Sequence, residues 1–92
     1  MISRSDVSIQ FDQALGRKIR ECRRSLGLSQ EKVVEVLSFF GVDMRQQTYA
    51  NIENGHRTVY PVELALLLQI LGIDIAEFVK HTFAQSSLQG VP

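Results

Sequence analysis

The sequence predicts an all-α chain of five short helices. Apolar residues recur at i, i+3, i+4 and i+7 in successive segments. Gly27, Gly41, Gly55 and Gly72 fall where those runs stop, as residues that end helices do. No segment makes a convincing strand.

Residues 1–10 lack a clear period and read as a flexible N-terminal arm; residues 11–84 read as the domain, and the Ser/Gln/Gly-rich residues 85–92 as a flexible tail. The first helix is expected from about Asp12, which caps it, to Ser25. Leu15, Ile19, Cys22 and Leu26 form its apolar stripe, and Arg17, Arg20 and Arg24 its outer face.

Ser29 caps a second helix over about Gln30 to Phe40, with Val33, Val36, Leu37 and Phe40 as its core face. Its three valines lower the intrinsic helix propensity, so packing has to hold it together. Gly41-Val42-Asp43-Met44 turns into the third helix, with Val42 and Met44 tucked beneath it. Phe39 lies off the stripe and either covers the turn or stands exposed.

The third helix lies within Arg45–Gly55. Tyr49 and Ile52 are three apart and share a buried face. Gln46, Gln47, Ala50 and Asn51 fall outside that stripe. An amide offers a donor and an acceptor together, which matches the N6 and N7 edge of adenine in the major groove. The same pattern also fits a plain polar helix with a glycine cap.

Pro61 suits the first turn of a fourth helix. Leu64, Leu67, Leu68 and Leu71 form its stripe, broadened by Leu66 and Ile70, so it reads as the most buried helix. Asp74 and Glu77 are spaced as a capping box, and Ile73 and Phe78 as a hydrophobic staple, for a fifth helix from Ile75 to about Phe83.

Ninety-two residues make one small domain with little room for an enclosed enzyme cleft. Neither a bilayer-crossing run nor a signal-peptide pattern is present. Cys22 is the single cysteine. It cannot close an internal disulfide, it reads as a buried inert thiol, and without a CxxC or His/Cys cluster around it no structural zinc is expected. A reducing cytoplasm is the expected compartment. His56 and His81 are isolated and read as surface residues rather than metal ligands. With no nucleophile–base pair, phosphate-cradling loop or persuasive carboxylate pair, an enzyme is not expected, and neither is a cofactor.

Ten Lys/Arg balance ten Asp/Glu, which argues against strong phosphate binding. The charges are unevenly spread, with seven basic against four acidic residues in positions 1–32, and three against six in the remainder. One end can still face phosphate, with weak non-specific binding and a shallow salt dependence expected.

Leu15-Gly16-Arg17-Lys18-Ile19-Arg20, Arg23, Gly27-Leu28-Ser29-Gln30-Glu31, Ile52-Glu53-Asn54-Gly55 with Arg57, and Leu71-Gly72-Ile73 together resemble the phage-repressor (Cro/CI, or XRE) helix-turn-helix family over about residues 14–79. The resemblance implies a compact five-helix bundle whose third helix enters the major groove of double-stranded DNA. It implies that Gln30 touches a phosphate and braces the third helix, that Gln46 and Gln47 meet base edges, and that Asn51 makes a base or phosphate contact one turn on. It implies that Thr48 faces the DNA backbone, and that Asn54 and Arg57 hold phosphate. Arg23 and Glu53 match a buried ion pair between the first and third helices. The chain departs from the family pattern at Ser38–Met44, a joint like that of a longer-turn variant. Arg45 stands where a small cap is usual, so Asp43 is the candidate cap and Arg45 a candidate phosphate contact. Tyr49 replaces a smaller aliphatic residue and reads as core with its hydroxyl at the rim. Tyr60 replaces a Ser or Thr cap.

The function expected from this is a sequence-specific DNA-binding regulator, a repressor, working as a homodimer through Ile75, Val79, Phe83 and Leu88. The alternative is a protein-interaction module or antitoxin-type partner that keeps the fold with weak or no DNA binding, a reading favoured by the neutral charge and by Phe39.

Overall fold

The structure is a computed structural model that describes residues 5–84. Within them the chain forms α1 (Asp6–Ser25), α2 (Gln30–Phe39), α3 (Gln46–Glu53), α4 (Pro61–Leu71) and α5 (Ile75–Thr82), with no strand among the described residues. The all-α expectation of five helices holds.

α1 begins at Asp6 rather than Asp12. Val7-Ser8-Ile9-Gln10-Phe11 alternates apolar and polar residues, a strand-like period that hides the helix from a reading by pattern. The Ser5 hydroxyl caps it by accepting from the Ser8 N–H at 3.1 Å. Tertiary packing holds the added turns. The Phe11 ring meets Phe78 edge-on at 5.7 Å and stacks on Phe83 at 6.3 Å, which ties the start of the chain to α5. Residues 6–10 are therefore helix and not arm, while residues 1–4 and 85–92, including Leu88, lie outside the described residues. Asp12 is no cap. It is buried inside the helix and accepts from the Thr58 hydroxyl at 2.9 Å.

The core is Leu15 and Ile19 of α1, Val33 and Leu37 of α2, Tyr49 and Ile52 of α3, Leu67 and Leu71 of α4, with Ile73 and Phe78 from the α5 segment. α1 packs on α3 and α4, and α2 packs on α3. The short α3 is thus held from two sides. An isolated helix of that length has no stability of its own in water.

Several stripe residues fall outside the core. Leu26 is the α1 C-cap and is exposed, because the helix ends there before its side chain can turn inward. Cys22 is half-buried rather than sealed. α2 stops at Phe39, and Phe40, expected inside, is 59% exposed at the C-cap. Val36 is only partly covered. Val42 and Met44 do pack, partly buried, against the core, with the Val42 N–H held by the Leu37 carbonyl at 3.1 Å.

α4 starts at Pro61, and the Glu63 carboxylate accepts from the Tyr60 N–H at 3.0 Å, so the helix start is satisfied by a side chain two positions inside it rather than by a Ser or Thr cap. Its even apolar coating leaves Leu64, Leu66, Leu68 and Ile70 only half-covered, while Val62 is exposed. Asp74 caps α5 through the Glu77 N–H at 3.1 Å, and Ile73 and Phe78 are both buried at its base.

Candidate nucleic-acid interface

α3 has two chemically distinct sides. Tyr49, Ile52 and Glu53 are buried. Gln46 and Gln47 are exposed, and Thr48, Ala50 and Asn51 are half-covered. Glu53 is the one charged residue of the helix, and it points inward, so the outer side carries amides, a hydroxyl and a methyl. A helix that merely faced water would gain more from Lys and Glu pairs at i, i+4.

Glu53 is the anchor. Arg23 Nε donates to Glu53 Oε2 at 2.6 Å, and Arg23 Nη2 donates to Glu53 Oε1 at 3.0 Å. Gln30 Nε2 donates to Oε1 at 3.0 Å, and Arg20 Nε approaches the same oxygen at 3.4 Å. Arg23 also donates to the Leu28 carbonyl at 2.9 Å. One carboxylate of α3 is therefore gripped by α1 and by the first residue of α2. Burial pushes the Glu53 carboxyl up, but the hydrogen bonds from Arg23, reinforced by Gln30 and by the Arg23 charge, outweigh it and hold the group at about 2. The arrangement satisfies what an ion pair out of water needs: opposite charge plus hydrogen bonds to the remaining lone pairs.

Tyr49 is fully buried, hydroxyl included, and that hydroxyl has no hydrogen-bond partner among the described residues. The expectation of a hydroxyl at the rim is corrected. The phenol ring is the largest fully buried side chain, and filling the space between α1, α2 and α3 draws it inward beyond the reach of solvent. Burial, then the neighbouring Glu53 carboxylate, raises its pKa well above the ordinary range.

Two glycines set how closely α3 approaches α1. A Cβ on Gly16 would lie 2.6 Å from the Glu53 carbonyl oxygen. Gly55, just past α3, has φ +75°, and a Cβ there would lie 2.8 Å from Gln13 Cα. The first contact requires the absence of a side chain; the second requires that and a left-handed backbone.

Arg45 is exposed at the N-cap of α3 and makes no side-chain cap bond, and Asp43 supplies none in its stead. The first N–H groups of α3 are left unfilled by a side chain. On the outer side, Gln47 Nε2 donates to Asn51 Oδ1 at 3.1 Å. Asn54, the α3 C-cap, accepts from Arg20 Nη2 through its side-chain oxygen. Arg57 donates to both carboxylate oxygens of Glu63, at 2.8 and 3.0 Å, and its guanidinium lies 4.8 Å from the Tyr60 ring centre. The Glu63 partnership raises the Arg57 pKa and lowers that of Glu63.

The structure thus brings Gln30, Arg23, Glu53 and Asn54 into one network, and gathers Arg45, Gln46, Gln47, Thr48 and Asn51 on or beside α3. It draws Arg57 to a separate pair with Glu63. Arg20, Gly16 and Glu63 were not singled out from sequence for these roles. Glu63, three residues after Tyr60, had a readable signal in capping-box spacing, while Arg20 had none. His56 and His81 are both exposed, and no group of three or more His, Cys, Asp or Glu that could hold a metal occurs among the described residues. No helix among them is long and apolar enough to cross a membrane.

A family model described as a helix-turn-helix domain matches residues 16–82. No curated protein and no solved structure matches the chain.

Proposed function

The chain belongs to the helix-turn-helix domain family, and on that premise we propose that it is a sequence-specific DNA-binding transcriptional regulator of the phage-repressor (Cro/CI, XRE) type, acting as a repressor. The observation that carries this reading is the division of α3: every anchoring group is turned inward and an uncharged amide surface is turned outward. Gln46, Gln47 and Asn51 read base edges in the major groove. Arg45 and Thr48 meet the DNA backbone, together with the unfilled N–H groups at the start of α3. Gln30 and Asn54 hold α3 in register and offer their remaining amide hydrogens to phosphate. Arg57 can reach phosphate from its pair with Glu63, adding a contact at the edge.

The protein works as a homodimer on a two-fold site, with half-sites about one helical turn apart. Val79 is exposed on α5 and Ile75 is half-covered, which supports that helix as the pairing surface. Phe83 is already engaged with Phe11, so it contributes less than its size suggests.

Selection from a random duplex pool at two salt concentrations tests the reading. A palindromic motif is the expected result, with binding that weakens as salt rises. Absence of any motif sinks it. A second reading, an interaction module with the same fold, is favoured by one observation: Phe39 is 79% exposed beside Phe40 at the end of α2. A contact made through those rings would be nearly indifferent to salt.

A further inference from the structure

Gln47 and Asn51 are one turn apart on the outer side of α3 and are joined by a hydrogen bond, with Gln47 Nε2 donating to Asn51 Oδ1 at 3.1 Å. That bond restrains both amides and fixes the sense in which each presents its atoms. Among the described residues Gln47 is left with Oε1, an acceptor without a partner, and Asn51 with Nδ2, a donor without one. Gln46, exposed beside them, belongs to no such pair.

We infer that Gln47 and Asn51 act as one composite reader, specific for a single adenine, rather than as two independent base contacts. This deepens, and rests on, the DNA-reading function proposed above. Adenine presents to the major groove a donor at N6 and an acceptor at N7, the complement of an acceptor from Gln47 and a donor from Asn51. Guanine presents two acceptors, N7 and O6, and would set one of them against Gln47 Oε1. Cytosine offers one donor, and thymine one acceptor beside a methyl group. Taken one base at a time, only adenine satisfies both free atoms, so a pair docked on a single base discriminates by the penalty of leaving a desolvated amide atom unmatched. Because the two side chains already hold each other, less rotamer freedom is lost on docking than two loose amides would lose.

The test is duplex selection and sequencing with the wild type, Gln47→Ala, Asn51→Asp and the double variant, scored as base preference at each position. Asn51→Asp keeps the acceptor for Gln47 but removes the donor aimed at the base. The wild type is expected to favour adenine at one position of each half-site by roughly tenfold to a hundredfold. Each single variant is expected to lose that preference at the same position, and the double variant to lose no more than either single one. Singles that affect different positions, or losses at one position that multiply in the double variant, overturn the composite reader while leaving DNA reading intact. A wild type that selects no motif overturns both. Unchanged thermal melting in each variant shows that altered preference reflects the reading surface and not the fold.

Discussion

Arg23 Nε and Glu53 Oε2 lie 2.6 Å apart with the Glu53 side chain wholly buried, joining α1 to the end of α3. Removing one partner leaves a charge out of water without compensation, which costs roughly 3–5 kcal/mol. A domain of this size has only about 5–15 kcal/mol to lose. Glu53→Ala is expected to lower the melting temperature by more than 10 °C, at about 4–8 °C per kcal/mol, or to leave the chain unfolded. An unchanged melting temperature by circular dichroism would show that the pair does not support the fold.

The same pair sets acid stability. The Glu53 carboxyl is held at about 2 in the fold, against 4.5 as its ordinary value. A depressed folded value means that the stabilisation is fully present above about pH 4.5 and is lost as pH falls toward 2. Linkage puts the amount at roughly 3 kcal/mol. Glu63, lowered by Arg57, acts in the same direction. Urea unfolding followed from pH 7 to pH 2.5 should show stability dropping below pH 4.5, and Glu53→Gln should flatten that drop. A profile of the variant parallel to wild type would remove Glu53 from the explanation.

Gln46→Ala and Gln47→Ala remove exposed groups and leave the core untouched. Each is expected to melt within about 0.5 kcal/mol of wild type. Each should also lose roughly 1–3 kcal/mol of discrimination between the preferred duplex and a scrambled one. Normal discrimination in both, measured by fluorescence anisotropy, would take base reading away from α3.

Gly55 and Gly27 share a left-handed backbone but not a neighbourhood. A Cβ on Gly55 meets Gln13 Cα at 2.8 Å, whereas one on Gly27 meets nothing within 4 Å. Gly27→Ala should therefore cost only the conformational penalty of about 1–2 kcal/mol. Gly55→Ala adds an overpacking penalty of about 1–3 kcal/mol. Equal losses for the two, from chemical denaturation, would mean that α1 yields freely at Gln13.

The helical class was legible because glycines and caps punctuate the chain, and Ser29, Pro61 and Asp74 each begin a helix where the sequence marks it. The division of α3 was legible too, since Tyr49 and Ile52 at i, i+3 fix which side is buried. What pattern could not reveal came from distant packing. Phe11 extends α1 backward by finding Phe78 and Phe83, elements far away in the chain. Phe40 loses its inward position because α2 stops just before it. Arg20 joins Glu53 and Asn54 across more than thirty positions, a relationship no local spacing encodes. Arg57 turned to Glu63 because a carboxylate six residues on lies within reach of both guanidinium nitrogens.

The two sides of α3 also bear on how such a chain can diversify. Tyr49, Ile52 and Glu53 hold the helix against its neighbours, while Gln46, Gln47 and Asn51 make no bond to any other helix. Drift in the outer set leaves the inner set untouched. On the function proposed for α3, recognition preferences can therefore change through single steps that never cross an unfolded intermediate, so that descendants differ in what they read while folding alike.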